Sequence, residues 1–157
     1  MRINRLVLFS LLILLCSCNR SETLFVRVSA SKSGITFTNQ LENKKGFNIL
    51  YYLYYYNGGG AATGDINNDG LPDIYFTANS TGNNKLYLNK GGMAFEDITE
   101  SAGVQGISDW CSGVTMADVN GDGLLDIYVS AITGKFDLKG HNQLFINLGN
   151  NKFADHS

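Results

Sequence analysis

The chain is short of most of the residues on which chemistry is usually built. It holds three cysteines and two histidines in 157 residues, and two of the cysteines, Cys16 and Cys18, sit near its start. Cys111 is left alone in the body of the chain, which excludes a disulfide framework. His141 and His156 lie in polar segments with no nucleophile motif around them, so a Cys/His mechanism is not expected. Cys111, next to Trp110, reads as a small buried apolar residue. Lys and Arg number 12 against 14 Asp and Glu and are scattered, for a net charge of −2, which supplies no footprint for nucleic acid. No apolar run reaches the ~20 residues that span a bilayer. One proline stands against 18 glycines, and eight tyrosines and nine phenylalanines accompany them. That balance favours many short strands joined by tight turns. The expected class is all-β, with enough chain for one modest domain and not for two.

The opening residues read as an address. Arg2 and Arg5 form a basic start, and 6–15 is apolar apart from Ser10, the layout of a signal peptide. It ends in Leu15, Cys16, Ser17 and Cys18, which resembles a lipobox, the site where a bacterial lipoprotein is diacylated on cysteine and cleaved just before it. Ser17 is the small residue wanted ahead of the cleavage, so Cys18 is the expected lipid attachment site. A plain secretory signal would show an AxA-like site, and none is present.

What the chain has in place of reactive side chains is a repeat. DINNDGLPDIYFTA (65–78) aligns without gaps on DVNGDGLLDIYVSA (118–131), with nine of the fourteen positions identical. Downstream, NKLYLN (84–89) pairs with NQLFIN (142–147), and Phe95, Glu96 and Asp97 pair with Phe153, Ala154 and Asp155. The offset grows from 53 to 58, which places a five-residue insertion in the second copy at 134–139. Each loop lies between a small-residue run (59–64, 112–117) and a β-favouring run (74–77, 127–130). Third strands are expected at 85–89 and 143–147, and fourth strands at 94–98 and from 152 onward. Four short strands at this period are the signature of a propeller blade.

In DxNxDGxxD, side-chain oxygens fall at positions 1, 3 and 5, where a tightly wound loop turns alternate residues toward one hard cation. Glycine at position 6 (Gly70, Gly123) permits the sharp turn, position 7 offers a carbonyl, and an aspartate closes the shell. The expected ligands are Asp65, Asn67, Asp69, the Leu71 carbonyl and Asp73 for one Ca²⁺, and Asp118, Asn120, Asp122, the Leu124 carbonyl and Asp126 for a second. Phe76 and Val129 stand where an EF-hand or dockerin-like loop needs its twelfth-position carboxylate. The competing reading is a hairpin rich in Asx turns that needs no metal. From Cys18 onward ten Lys and Arg face 14 Asp and Glu, a net of −4 that two Ca²⁺ would neutralise.

These loops and the runs that follow them resemble FG-GAP/VCBS repeats, known from integrin α-chain propellers and bacterial surface proteins. YNGGGAATGDINNDGLPDIYF (56–76), with GITFT (34–38) ahead of it, more narrowly resembles bacterial lipoproteins of the ASPIC/UnbV-associated type. The resemblance implies a propeller in which the metals brace the turn between the first two strands of each blade, and whose remaining blades lie outside this chain. The FG and GAP signatures themselves are eroded, with Ala78-Asn79 and Ala131-Ile132 where GAP would stand.

Ile35 to Thr38 resembles the fourth-strand pattern and is expected to be a stray outer strand completing another blade. Tyr51, Tyr52, Tyr54, Tyr55 and Tyr56 read either as an alternating strand with one packed face or as a carbohydrate-stacking platform. The expected organisation is a signal peptide at 1–17, a leader at 18–57, and two repeats at about 58–104 and 105–157. The expected function is a calcium-binding, lipid-anchored protein of the cell envelope, held at the outer membrane and facing the periplasm or the cell surface. Its propeller repeats bind or scaffold an unknown protein or glycan ligand. No catalytic residue is expected. The alternative is a truncated part of a propeller-bearing exported enzyme acting on a polysaccharide or other surface substrate.

Overall fold

A computed structural model describes residues 23–41 and 44–157. The expected signal segment with Cys16 and Cys18 lies outside the described residues. Among those described, no helix is long and apolar enough to cross a membrane.

Two four-stranded antiparallel meanders make up the fold. The first runs β1 (Ala61–Gly64), β2 (Asp73–Phe76), β3 (Lys85–Asn89) and β4 (Phe95–Asp97), and the second β5 (Cys111–Ala117), β6 (Asp126–Ala131), β7 (Gln143–Asn147) and β8 (Phe153–Asp155). The copies share one register: Tyr75 faces Leu86 and Tyr128 faces Leu144, while Leu88 faces Glu96 and Ile146 faces Ala154. Two single-turn helices, α1 (Ala30–Ser33) and α2 (Thr99–Ala102), lie outside the sheets. The chain is all-β, as its composition and repeat predict.

The main core lies between the sheets. Ile66, Tyr75 and Leu86 of the first copy are buried with Ile127, Val129 and Phe145 of the second, together with Cys111. Close approach of β1 to β5 needs glycine. A Cβ on Gly60 would lie 2.8 Å from the Val114 nitrogen, and one on Gly64 would lie 2.6 Å from the Leu125 side chain. Main-chain atoms cannot yield as a flexible side chain does, so Gly60 sets how near the sheets come. Cys111 is buried, burial pushes its thiol up, and it accepts a weak hydrogen bond from Asn84.

Two expectations about the leader need correction. Ile35 to Thr38 belongs to no strand: it lies on the first sheet, with Phe37 stacked on Phe76 at 5.0 Å and the Thr36 amide donating to the Tyr87 hydroxyl. The sequence pattern is strand-like, but ring stacking and a side-chain acceptor take the place of a ladder. Residues 51–56 form turns and not an alternating strand. Asn48 accepts from the Leu50 amide through its side chain and from Tyr51 and Tyr52 through its carbonyl, and further turns close from Tyr55 to Tyr52 and from Asn57 to Tyr54. Local hydrogen bonding from an Asx turn supplies the partners that a neighbouring strand edge would have supplied.

Candidate functional site

The two loops sit at equivalent corners, each joining the first strand of a sheet to the second. Their hydrogen bonding is repeated nearly atom for atom. In the first loop, Asp65 accepts from the Asp69 and Gly70 amides at 3.0 and 2.7 Å, and in the second, Asp118 accepts from Gly121, Asp122 and Gly123 at 2.7 to 3.2 Å. Asp69 and Asp122 each accept from the amide two residues on, at 2.9 and 2.8 Å. Asn67 and Asn120 accept from the Asp69 and Asp122 amides, at 3.2 and 3.0 Å. Gly70 and Gly123 both have φ of 85°. This left-handed conformation is the reason for glycine at position 6. Asn68 takes φ of 58° where the second loop has Gly121 at 80°, a substitution that asparagine tolerates in this region.

The closing aspartates are buried under the loops. Asp73 accepts from the Ile66 amide at 3.0 Å and the Asn89 amide at 2.8 Å; Asp126 accepts from Val119 at 3.0 Å and Asn147 at 2.8 Å. Burial pushes the Asp73 carboxyl up. The two main-chain donors oppose that, and the Asp69 and Asp65 charges add to it. The loop's negative charge is met by main-chain amides and by no cationic side chain within 65–73. Asp118 is held below the usual carboxylate range, chiefly by the Gly123 amide.

Among the described residues, no group of three or more His, Cys, Asp or Glu side chains is gathered to hold a metal ion. The carboxylates are turned instead to loop amides. The donor set nevertheless fits a hard cation in kind: every expected ligand is an oxygen, two per loop are an amide side chain and a main-chain carbonyl, and the three carboxylates repel one another.

Several residues beyond the loop motif complete the arrangement. Asn89 and Asn147 deliver their amides to the closing aspartates, and Asn84 and Asn142 accept from the Ala78 and Ala131 amides at 2.8 and 2.9 Å. Asp97 accepts from the Thr99 amide and hydroxyl, and Asp155 from those of Ser157. All lie in the second half of the repeat, where each position recurs at an offset of 58, so the signal for them was present in the sequence as recurring polar residues beside strands.

A second feature departs from the repeat. The five-residue insertion places Phe136 and Leu138 against the leader. Phe47 meets Trp110 at 4.9 Å, Phe136 at 5.0 Å and Tyr55 at 5.2 Å, with Leu138 and Tyr52 alongside. Tyr55 is wholly buried, whereas Tyr51, Tyr54 and Tyr56 are exposed. Beside this cluster runs a groove of about 680 Å³ with Lys44, Asn79, Asn83, Asp109, Trp110 and Phe136 on its walls. Asp109 is held below the usual range by the Thr81 hydroxyl and then by the Lys139 amide. Phe136 and Asp137 have φ of 55° and 59°, consecutive left-handed residues that cost ~1–3 kcal/mol each and persist because the aromatic cluster fixes them.

A 90-residue stretch, 57% of this chain, is 38% identical to cartilage acidic protein 1 of Xenopus tropicalis, and it spans 13% of that protein's length. From the first loop aspartate to the middle of β6, residues 65–129 match the FG-GAP-like repeat, and the chain carries a repeat of that kind across both loops.

Proposed function

We propose that this chain is a calcium-braced part of a β-propeller, anchored to a bacterial envelope membrane through a lipid on Cys18, that acts as a binding or scaffolding module and not as an enzyme. The observation that carries the reading is the duplicated loop, with one hydrogen-bond pattern at one corner of two successive sheets and oxygen donors only. Calcium suits six to eight such oxygens, whereas magnesium keeps several waters. When bound, the ion supplies charge compensation and rigidity at the corner. Asp65, Asn67, Asp69, Leu71 and Asp73 would hold one ion, and Asp118, Asn120, Asp122, Leu124 and Asp126 the other. The lipoprotein character, close to the ASPIC/UnbV-associated type, rests on the motif at Cys18 and on the phrases at 34–38 and 56–76.

The ligand, a protein or a glycan, is assigned to the groove, because there the leader and the insertion, which the repeat does not contain, meet repeat residues such as Asn79 and Asp109. A propeller-bearing enzyme is the weaker reading. It would need a catalytic pair, and Asp109 on the groove wall is fixed by hydrogen bonds that keep it ionised, which makes it a poor general acid.

The test is limited proteolysis of the full-length protein with and without EDTA, alongside Asp69→Ala and Asp122→Ala. Calcium should protect the wild type, each variant should lose part of that protection, and the double variant should be indifferent to EDTA. A wild type whose cleavage ignores EDTA would overturn the metal reading. Separately, Cys18→Ser should abolish labelling with a fatty acid. Label that survives Cys18→Ser but is lost with Cys16→Ser would move the anchor to Cys16.

A further inference from the structure

A continuous buried hydrogen-bond chain joins the two loops. The Ile66 amide donates to Asp73, which closes the first loop, and the carbonyl of the same residue accepts from the Asn147 side-chain amide at 2.8 Å. The Asn147 main-chain amide in turn donates to Asp126, which closes the second loop, at 2.8 Å. Each of the four residues is at most 2% exposed. Both polar atoms of the Asn147 side chain are engaged: its nitrogen also donates to the Leu125 carbonyl at 3.1 Å, and its oxygen accepts from the Gly149 amide at 2.9 Å. A second, exposed link runs beside it, where the Asn68 side chain donates to the Gly123 carbonyl at 3.1 Å and the Gly123 amide donates to Asp118 at 2.9 Å.

We infer that Asn147 is a positioning residue shared by the two cation loops, and that with Asn68 it couples them into one positively cooperative pair. The inference rests on the calcium reading above. A cation drawing on Asp73 fixes the Ile66 peptide, which fixes Asn147 and the amide that orients Asp126. The second loop is then partly ordered before its own ion arrives, and ordering already completed need not be repeated. Hydrogen bonds in series in a buried setting also polarise one another. The reverse path uses the same atoms, so the effect must be equal in both directions.

The experiment is calcium calorimetry on the full-length protein with one loop disabled at a time. Asp122→Ala should weaken binding at the first loop, and Asp69→Ala at the second, by the same factor of about fivefold or more relative to the wild type. Asn68→Gly is compatible with the backbone, since the second loop carries glycine at that position, and it should reduce the factor without lowering the melting temperature. Asn147→Ala should reduce it further and the two substitutions together should abolish it, and a lowered melting temperature in Asn147→Ala is controlled by the Asn68→Gly result. As a readout independent of affinity, calcium added to the Asp122→Ala protein should still slow hydrogen exchange at the Asn147 amide. Two ions that bind with affinities indifferent to the state of the other loop would overturn the coupling alone. No calcium binding in the wild type would overturn the calcium reading and the coupling with it.

Discussion

Asp73 and Asp126 are the ninth residues of their loops and are as deeply buried as any apolar residue of the core. Their carboxylates accept main-chain amides from two directions, so they tie the loop to the end of the third strand. Thr99 plays a comparable part at the other end of the sheet: it is buried, its hydroxyl donates to Asp97, and it accepts from the Leu86 amide at 2.9 Å. Thr99→Ala leaves that amide without an acceptor and should cost about 1–3 kcal/mol, measured by denaturant unfolding. Ser157 fills the same role toward Leu144. The motif DxNxDGxxD announced the loop aspartates from sequence because its spacing is specific. Asn147 and Thr99 recur in the repeat as Asn89 and Ser157 but carry no chemical motif, so their roles emerge when strand pairing brings them beneath a loop or across a sheet.

At the scale of elements, third strands at 85–89 and 143–147 are found where the repeat placed them, because three consecutive apolar residues between asparagines are pinned by pairing on both sides. The leader was not legible in this way. Its partners, Phe76, Tyr87 and Trp110, lie far along the chain, and no local period encodes such contacts. The fourth strand of the first sheet is held by a titratable latch. Burial tends to raise the Asp97 carboxyl, but the Thr99 hydroxyl, the Lys85 ammonium at 2.9 Å and the Thr99 amide together bring it below its ordinary value. A depressed folded-state value contributes stability above the unfolded value, about 4, and loses it as pH falls through the folded one. Asp97→Asn should therefore be less stable than the wild type at pH 7, and in denaturant melts the difference should shrink as pH falls through the folded-state value. Between the sheets, Gly60→Val would force a side chain onto the Val114 and Gly113 main chain and should cost about 1–3 kcal/mol in the same assay.

The two sheets of the molecule are related by the repeat, yet their outer faces are unequal. Ile66 and Tyr75 are 1% and 0% exposed because the second sheet covers them, whereas their counterparts Val119 and Tyr128 are 55% and 39% exposed. If the two sheets are successive blades of the proposed propeller, the face at Val119 and Tyr128 is where the next blade would pack. This chain expressed alone should self-associate through that face, and Val119→Asp should reduce the association in sedimentation. A sharp melt of monomer, independent of concentration, would contradict this. On the proposed reading, calcium would act at the same scale as a brace. At dissociation constants of ~0.1–1 mM and ~1 mM calcium, each loop gains roughly 0.4–1.4 kcal/mol, enough to stiffen a corner and too little to switch a fold. The most direct measurement is the number of calcium ions retained by the full-length protein after equilibrium dialysis, counted by metal analysis for the wild type, Asp69→Ala, Asp122→Ala and the double variant. The account predicts that the wild type holds two more ions than the double variant and that each single variant holds one more. Equal counts in all four would show that these aspartates serve only as turn formers.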